Sequence, residues 1–587
     1  MSAETRQSSH FSFFHEDRIP AMLRFAIAAT AACSATATIT TEWVNGVPPM
    51  KAPVTSLPGW EGPLPSDTFS GYIDAGTPPS GVGTMYFHYI AALSEGDPAT
   101  DPVVLWYNGG PGASSLFGML QELGPVLFNV RSFDDKYNQT GIPSGVRNPY
   151  SWTKFATVIA VDSPPPIGFS FCTEHGVVSN GTACGAWTDK TVFAANHAAH
   201  RTLFQKVFPE FITGKNPVFF TGESYGGIYV PGFVNAMLDD PIPGLNFAGY
   251  AVGDGWTGCK PVAGRKADWC VDLDNVGLFQ YPNVAPGPWY DMEFMHGHSQ
   301  FSETLYRKMR AACTEAQWRA ADGSDVPADC MKLVDQMKYE VGGYYAYDLY
   351  NDCPTNDRRR LAEHPAGAKP YRGPPSDKHG MFRSLRARKN LLRNVAHARG
   401  FRNPVDPGYG PGAHQAGGGA PCPSTAMDEL LALDATLDAL SIPRGASFIN
   451  LDNGHGFDYT PDEPQVTPIY KRALEAGLRV LIYEGDSDPC GLQTAPVEDI
   501  FVDYFASINL NETKSWRPWT TDGAQRLGGY AIEWIDRQVQ FVSIRGSGHL
   551  VPENKPDISK YMMSTFIAGE PFLPWVDPPA MKRHGEL

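Results

Sequence analysis

The stretch Pro217 to Tyr229, PVFFTGESYGGIY, carries a serine with a glycine two places to either side. Val218, Phe219 and Phe220 form a short apolar run of the kind a buried strand presents. After Gly227 the apolar residues Ile228, Val230, Val234, Met237 and Leu238 take helical spacing. Strand, tight turn and helix with Ser224 at the tip form a nucleophile elbow. The spacing follows from sterics, because the serine backbone is strained there and a Cβ at the glycine positions would crowd the turn. The hydroxyl then stands above the sheet, with a helix N-terminus behind it that favours negative charge. A chance G-x-S-x-G is the rival explanation in a chain with 59 glycines among 587 residues. The flanking strand and helix are the context that the motif requires.

Such a serine needs oxyanion donors, a base, and an acid to hold the base. Val103 to Tyr107 reads as a buried strand ending in Asn108-Gly109-Gly110-Pro111-Gly112. Two glycines after a strand let the backbone approach a ligand and aim N–H groups at it. One donor from an early loop and one from the residue after the nucleophile would be Gly110 and Tyr225. Late in the chain, Leu478 to Tyr483 reads as a strand leading to Glu484-Gly485-Asp486-Ser487-Asp488-Pro489-Cys490. An acid just past this strand is where the triad member belongs, and the spacing alone leaves both Asp486 and Asp488 open. Val539 to Ile544 is the last strand and runs into Arg545-Gly546-Ser547-Gly548-His549. His549 completes the order Ser, Asp, His. Of the 15 histidines, His455 in DNGHGFDYT is its main rival.

The elements that must position these groups alternate along the chain. Gly71 to Ile73 and Met85 to Tyr89 read as antiparallel strands, and Val158 to Asp162 as a buried one. Ala248 to Gly253 is a weak strand entering GDGW. Thr191 to Phe208 has an amphipathic helical pattern, as has Met427 to Ile442, and Ile469 to Ala476 is a helix stopped by Gly477. Strands alternating with helices predict an α/β fold with a mostly parallel central sheet and helices on both faces.

A net charge of −16 argues against nucleic acid or an anionic membrane as the main partner. Residues 1–45 read as a leader. Met22-Leu23-Arg24 followed by FAIAATAACSATA resembles a signal peptide that starts at Met22, and it is too short to span a membrane. Sequons at Asn138, Asn180 and Asn511 agree with secretion. The ten cysteines lack CxxC metal pairs and suggest disulfides in a secretory setting. Core segments are expected at 60–255 and 446–587. Between them, 256–445 reads as an inserted cap, with Cys259, Cys270, Cys313, Cys330, Cys353 and Cys422 available as staples and helical patterns at Ser302–Ala320 and Cys330–Tyr339. Within it, 357–420 is basic and rich in glycine and proline, a flexible loop by composition. Its basic residues include the pair Arg388-Lys389.

Several motifs in order resemble the serine carboxypeptidase family, peptidase family S10: WYNGGPGASS (106–115), LQELGP (120–125), NPYSW (148–152), GESYGGIYVP (222–231), YDLYNDC (347–353) and GSGHLVPENKP (546–556). The resemblance covers about four-fifths of the chain. It implies an α/β-hydrolase fold with an inserted cap and release of C-terminal amino acids from peptides and proteins at acidic pH, with no metal or organic cofactor. It assigns Asp488 over Asp486 as the triad acid beside Ser224 and His549, and Asn108, Glu122 and Glu223 as the group that binds the substrate carboxylate. Cys490 matches a cysteine left unpaired in some members. Secretory localisation, in a lysosome or vacuole or outside the cell, and a possible homodimer are further implications. Some relatives are acyltransferases, and a non-catalytic protective or binding subunit is another alternative. Three departures stand out. Ala113 replaces a cysteine that anchors the donor loop, Pro166 replaces a glycine, and Asp254 replaces an asparagine.

Overall fold

Apolar runs of five to eight residues pair edge to edge across the centre of the molecule, and their residues are almost wholly buried because both sheet faces are covered. The computed structural model describes residues 40–44, 46–173, 184–257, 288–318, 326–342, 345, 347–351, 426–450, 458–463, 465–490, 494–523 and 526–575. The labelled strands are β1 (Ala52–Val54), β2 (Thr68–Asp74), β3 (Met85–Ala92), β4 (Val103–Tyr107), β5 (Thr157–Val161), β6 (Pro217–Glu223), β7 (Asn246–Gly253), β8 (Arg479–Gly485), β9 (Lys514–Thr520), β10 (Leu527–Ile535), β11 (Val539–Ile544) and β12 (Leu573–Pro574). They lie in the order β1-β2-β3-β5-β4-β6-β7-β8-β11-β10-β9-β12. From β5 to β11 in that order every pairing is parallel. The outer pairings are antiparallel.

Alternation along β4 shows how the layers form. Val103, Leu105 and Tyr107 share one core with Val192 of α1 (Asp189–Thr202), Ile228 and Val234 of α2 (Gly226–Asp239) and Tyr470 of α3 (Thr467–Glu475). Val104 and Trp106 point the other way, to Ile558, Met562 and Phe566 of α4 (Pro556–Ala568). Register then fixes the site. Glu223 pairs with Gly253, Gly253 with Tyr483, and Gly485 with Ile544. β6, β7, β8 and β11 therefore end level, and the loops that follow them emerge side by side.

The segment between β7 and β8 has a core of its own, in which Trp289, Met292, Met309, Trp318 and Met337 meet. A Cys313–Cys330 disulfide closes it. The helix expected over Ser302–Ala320 is two, Glu303–Ala312 and Glu315–Trp318. Cys313 is extended, and Thr314 and Gln317 restart the helix by exchanging hydrogen bonds: Gln317 N–H donates to Thr314 Oγ1 and Thr314 N–H to Gln317 Oε1. Met427–Ile442 likewise divides into Ala426–Leu431 and Asp434–Ala439. β9, β10 and the helix Thr494–Ser507 were not expected. The β9 sequence KSWRPWT, with two cations and a proline, hides its strand nature because the strand lies near the sheet edge and is half exposed. Residues 1–39 of the leader, the 357–420 segment, Cys259, Cys270, Cys353, Cys422 and the rival His455 lie outside the described residues. Among the described residues no helix is long and apolar enough to cross a membrane.

Phe220 of β6 is fully buried against His200 and Phe247. Phe220→Ala should lower unfolding free energy by about 3–5 kcal/mol in a denaturant titration. Tyr339→Ala, at a position 70% exposed, should change it by less than about 0.5 kcal/mol.

Candidate active site

Ser224 follows β6 directly and sits at φ 61°, a left-handed conformation that strains any residue with a Cβ. Its neighbours hold it there. Ser224 N–H donates to Gly253 O at 3.0 Å, and Ser224 O accepts from Gly227 N–H and Trp256 N–H, both at 2.9 Å. A Cβ at Gly222 would come within 2.6 Å of Tyr107 O, and one at Gly109 within 2.9 Å of Ser224 Cβ and against Tyr225 N. The loop after β4 thus lies directly on the elbow, with Gly109 against Tyr225 N and Gly110 the next residue along. Among the described residues the backbone N–H groups of Gly110 and Tyr225 have no acceptor.

Hydrogen bonds from Ser114, next to Ala113, anchor the donor loop. Ser114 N–H donates to Asn450 Oδ1 at 2.8 Å, and Ser114 Oγ donates to Asp162 Oδ1 at 2.5 Å. Asp162 also meets His88 Nδ1 at 3.0 Å, and His88 Nε2 lies 3.0 Å from Ser70 Oγ. All these side chains except Asn450 are fully buried. On the other side, the Tyr225 hydroxyl donates to buried Asp189, which also accepts from Tyr459 and from the N–H groups of Asp462 and Glu463. Sequence reasoning did not single out Asp189, an ordinary-looking acid at a helix start.

The two late loops divide the work of their acids. Asp488 Oδ2 lies 2.8 Å from His549 Nδ1, while Asp488 Oδ1 accepts from Cys490 N–H at 2.7 Å. Asp486 instead accepts from Gly546 N–H at 2.6 Å, bracing the loop that carries His549. His549 N–H donates to Tyr347 O at 2.7 Å, and the two rings stand 5.2 Å apart. His549 Nε2 is buried and without a partner among the described residues. The donor atoms of Asp488, Cys490 and His549 lie within 4.8 Å of one another, close enough for a metal ion, though both Asp488 oxygens already have protein partners.

Asn108, Glu122 and Glu223 form a buried cluster beside the elbow. Asn108 Oδ1 accepts from Trp106 Nε1 at 2.8 Å and from Gly118 N–H at 3.0 Å. Its amide nitrogen is therefore turned to Glu223 Oε1 at 2.8 Å and Glu122 Oε1 at 3.3 Å. Burial pushes the Glu122 carboxyl up to about 7, against the Asn108 hydrogen bond. Burial first, and then the charge of Glu122, hold Glu223 well above the usual carboxylate range. A third acid, Glu553, was missed. It stands in the helical turn Val551–Asn554 just after His549 and is pushed up to about 8 by burial, then by Glu122 and Asp348.

A doubly covered parallel sheet with a serine elbow after a central strand, a late acid and a final histidine is the α/β-hydrolase arrangement. The description of serine carboxypeptidases matches residues 58–569. Serine carboxypeptidase 1 of Hordeum vulgare is 29% identical over 534 residues, covering 89% of this chain and 93% of that protein. The lysosomal protective protein of Mus musculus is 28% identical over 543 residues, covering 90% and 96%. The crystal structure of a prohormone-processing carboxypeptidase from Saccharomyces cerevisiae shares the fold, with a TM-score of 0.53 at 16% identity over 88% of this chain and 95% of that one. The chain belongs to the serine carboxypeptidase family.

These raised acids hold their protons to higher pH in the folded chain than in the unfolded one, where Glu titrates near 4.5. The folded state then binds more protons between about pH 4.5 and 8, and stability falls as pH rises through that window. The melting temperature should be highest near pH 5 and several degrees lower at pH 8, with a smaller difference in Glu122→Gln. A melting temperature that climbs over the same window contradicts these protonation states.

Proposed function

We propose that the protein is a serine carboxypeptidase that releases C-terminal residues from peptides and proteins at acidic pH. The observation that carries this reading is the Asn108–Glu122–Glu223 cluster beside Ser224. Two adjacent buried carboxyls cannot both ionise cheaply, so the pair keeps a proton. A protonated acid and the Asn108 amide can donate to a substrate's free α-carboxylate, whereas an ionised pair would repel it. A site for internal peptide bonds or neutral esters has no use for such a group.

In this reading Ser224 Oγ attacks the last peptide carbonyl while His549 Nε2 takes its proton. Asp488, bonded to Nδ1, holds the ring and stabilises its charged form. The carbonyl oxygen becomes an anion facing the N–H groups of Gly110 and Tyr225. The bond to nitrogen then breaks, His549 returns the proton to the leaving amino acid, and an acyl ester remains on Ser224. Water, deprotonated by His549, opens the ester. The cap between β7 and β8 would bound the substrate entrance. The disulfides Cys172–Cys184 and Cys313–Cys330 support passage through an oxidising secretory compartment.

Amino-acid release from an N-blocked dipeptide, compared with the same peptide amidated at its C-terminus, tests this. Release should occur from the free acid only. Its KM should rise about tenfold or more between pH 5 and 8, because the grip exists below the raised pKa of the pair and is lost above it. Ser224→Ala should lower kcat by about 10⁴-fold or more. Equal release from acid and amide would reject the carboxylate-reading role. In Asn108→Ala, KM for the free acid should rise while Ser224 still reacts with a fluorophosphonate.

A further inference from the structure

Two more acids lie beneath the site, and none of the steps above uses them. Asp254 follows β7, Glu484 is the penultimate residue of β8, and both are fully buried. Each carboxyl reaches across to the other's loop. Asp254 Oδ1 accepts from Gly485 N–H at 2.7 Å, and Glu484 Oε1 accepts from Gly255 N–H at 3.3 Å. Asp254 is held at a left-handed φ of 43°, with its own N–H donating to Tyr483 O at 2.8 Å. The second oxygen of each, Asp254 Oδ2 and Glu484 Oε2, is buried with no partner among the described residues. Buried acceptors of this kind demand a donor. One proton held between the two carboxyls supplies a partner to both.

The loops joined in this way are the ones that hold the reacting groups. Segment 253–256 grips the elbow, since Gly253 O accepts from Ser224 N–H and Trp256 N–H donates to Ser224 O. Gly485 leads into the acid loop, where its carbonyl accepts from Asp488 N–H at 3.2 Å. A Cβ on Gly485 would also strike the carbonyls of Ser547 and Gly548, so the His549 loop packs on the same residue.

We propose that Asp254 and Glu484 are a positioning pair: a carboxyl–carboxylate clasp, sharing one proton, that sets the Ser224 loop against the Asp488 and His549 loops. The proposal rests on reading Ser224, Asp488 and His549 as the triad. Around the clasp stand Glu223, Asp488 with its partner His549, and the phenols of Tyr470 and Tyr483. Among the described residues no lysine or arginine is bonded to either carboxyl. Burial first, then the charge of Glu484 and that of Asp488, hold Asp254 well above the usual carboxylate range; burial and then Asp488 do the same for Glu484, against the hydrogen bonds from Gly255 N–H and Asp254. Once it leaves, two like charges face each other without a counterion, and the clasp opens. An asparagine at 254 keeps the clasp with no proton to lose, because its Oδ1 still accepts from Gly485 and its Nδ2 donates to Glu484. Glutamine at 484 does the same from the other side.

The test is the rate at which a fluorophosphonate labels Ser224 between pH 5 and 10, a reaction that needs no C-terminal carboxylate. Wild type, Asp254→Asn, Glu484→Gln, Asp254→Ala and Ser224→Ala are compared. Wild type should lose about 10- to 100-fold in rate on the alkaline side, as expected for misplaced reacting groups. Asp254→Asn and Glu484→Gln should stay flat there while remaining close to wild type at pH 5. Asp254→Ala should be slow at every pH. The proposal is overturned if wild type shows no alkaline loss, or if the loss persists in whichever of the two amide variants folds. Labelling that is the same in wild type and Ser224→Ala would defeat the triad reading first, and the clasp with it.

Discussion

A carboxyl group taken out of water must find a cation, several donors or a proton, because an isolated buried charge costs more than a fold can offset. The catalytic end of this sheet is built under that constraint. Glu122, Glu223, Asp254, Glu484 and Asp488 are all nearly or fully buried. Asp488 has His549 and a backbone N–H as partners. The other four have an asparagine amide, two backbone N–H groups and one another. Protonation is the way left to satisfy them, and it ties the proposed grip on a substrate carboxylate to the acidic side of the pH range.

Strand register brings these groups together. Because β6, β7, β8 and β11 end level, the serine, acid and histidine arrive from separate parts of the chain at one edge. The left-handed Ser224 is held by bonds from the loop after β7, and the same loop carries Asp254. The donor loop shows that the anchor can change while the geometry is kept. With Ala113 in place of the cysteine that the resemblance led one to expect, Ser114 bonds to Asn450 and to the buried Asp162–His88–Ser70 chain.

The central strands and the elbow were legible because they depend on local signals, namely continuous apolar runs, glycines where a Cβ has no room, and a switch to helical spacing. The choice of Asp488 over Asp486 was not visible in spacing. Only packing tells the two apart, with Asp486 bonded to Gly546 N–H and Asp488 to His549. Glu122 was found only through resemblance, since a lone glutamate in LQELGP looks solvated. Asp189, Glu484 and Glu553 were not recognised, because a buried acid has the same letter as an exposed one and only tertiary packing separates them. β9 and β10 were missed for the related reason that charged, half-exposed strands lack the apolar run that marks a central one.

The central claim is that a proton on the Glu122–Glu223 pair is part of the binding site. It is tested most directly by calorimetric titration of Ser224→Ala protein with an N-blocked dipeptide, in buffers of different ionisation enthalpy. Near pH 5, where the pair already holds its proton, binding should take up almost none. Above pH 7 it should take up about one proton per peptide and weaken as pH rises. Affinity that is independent of pH, with no proton taken up at any pH, would contradict the account.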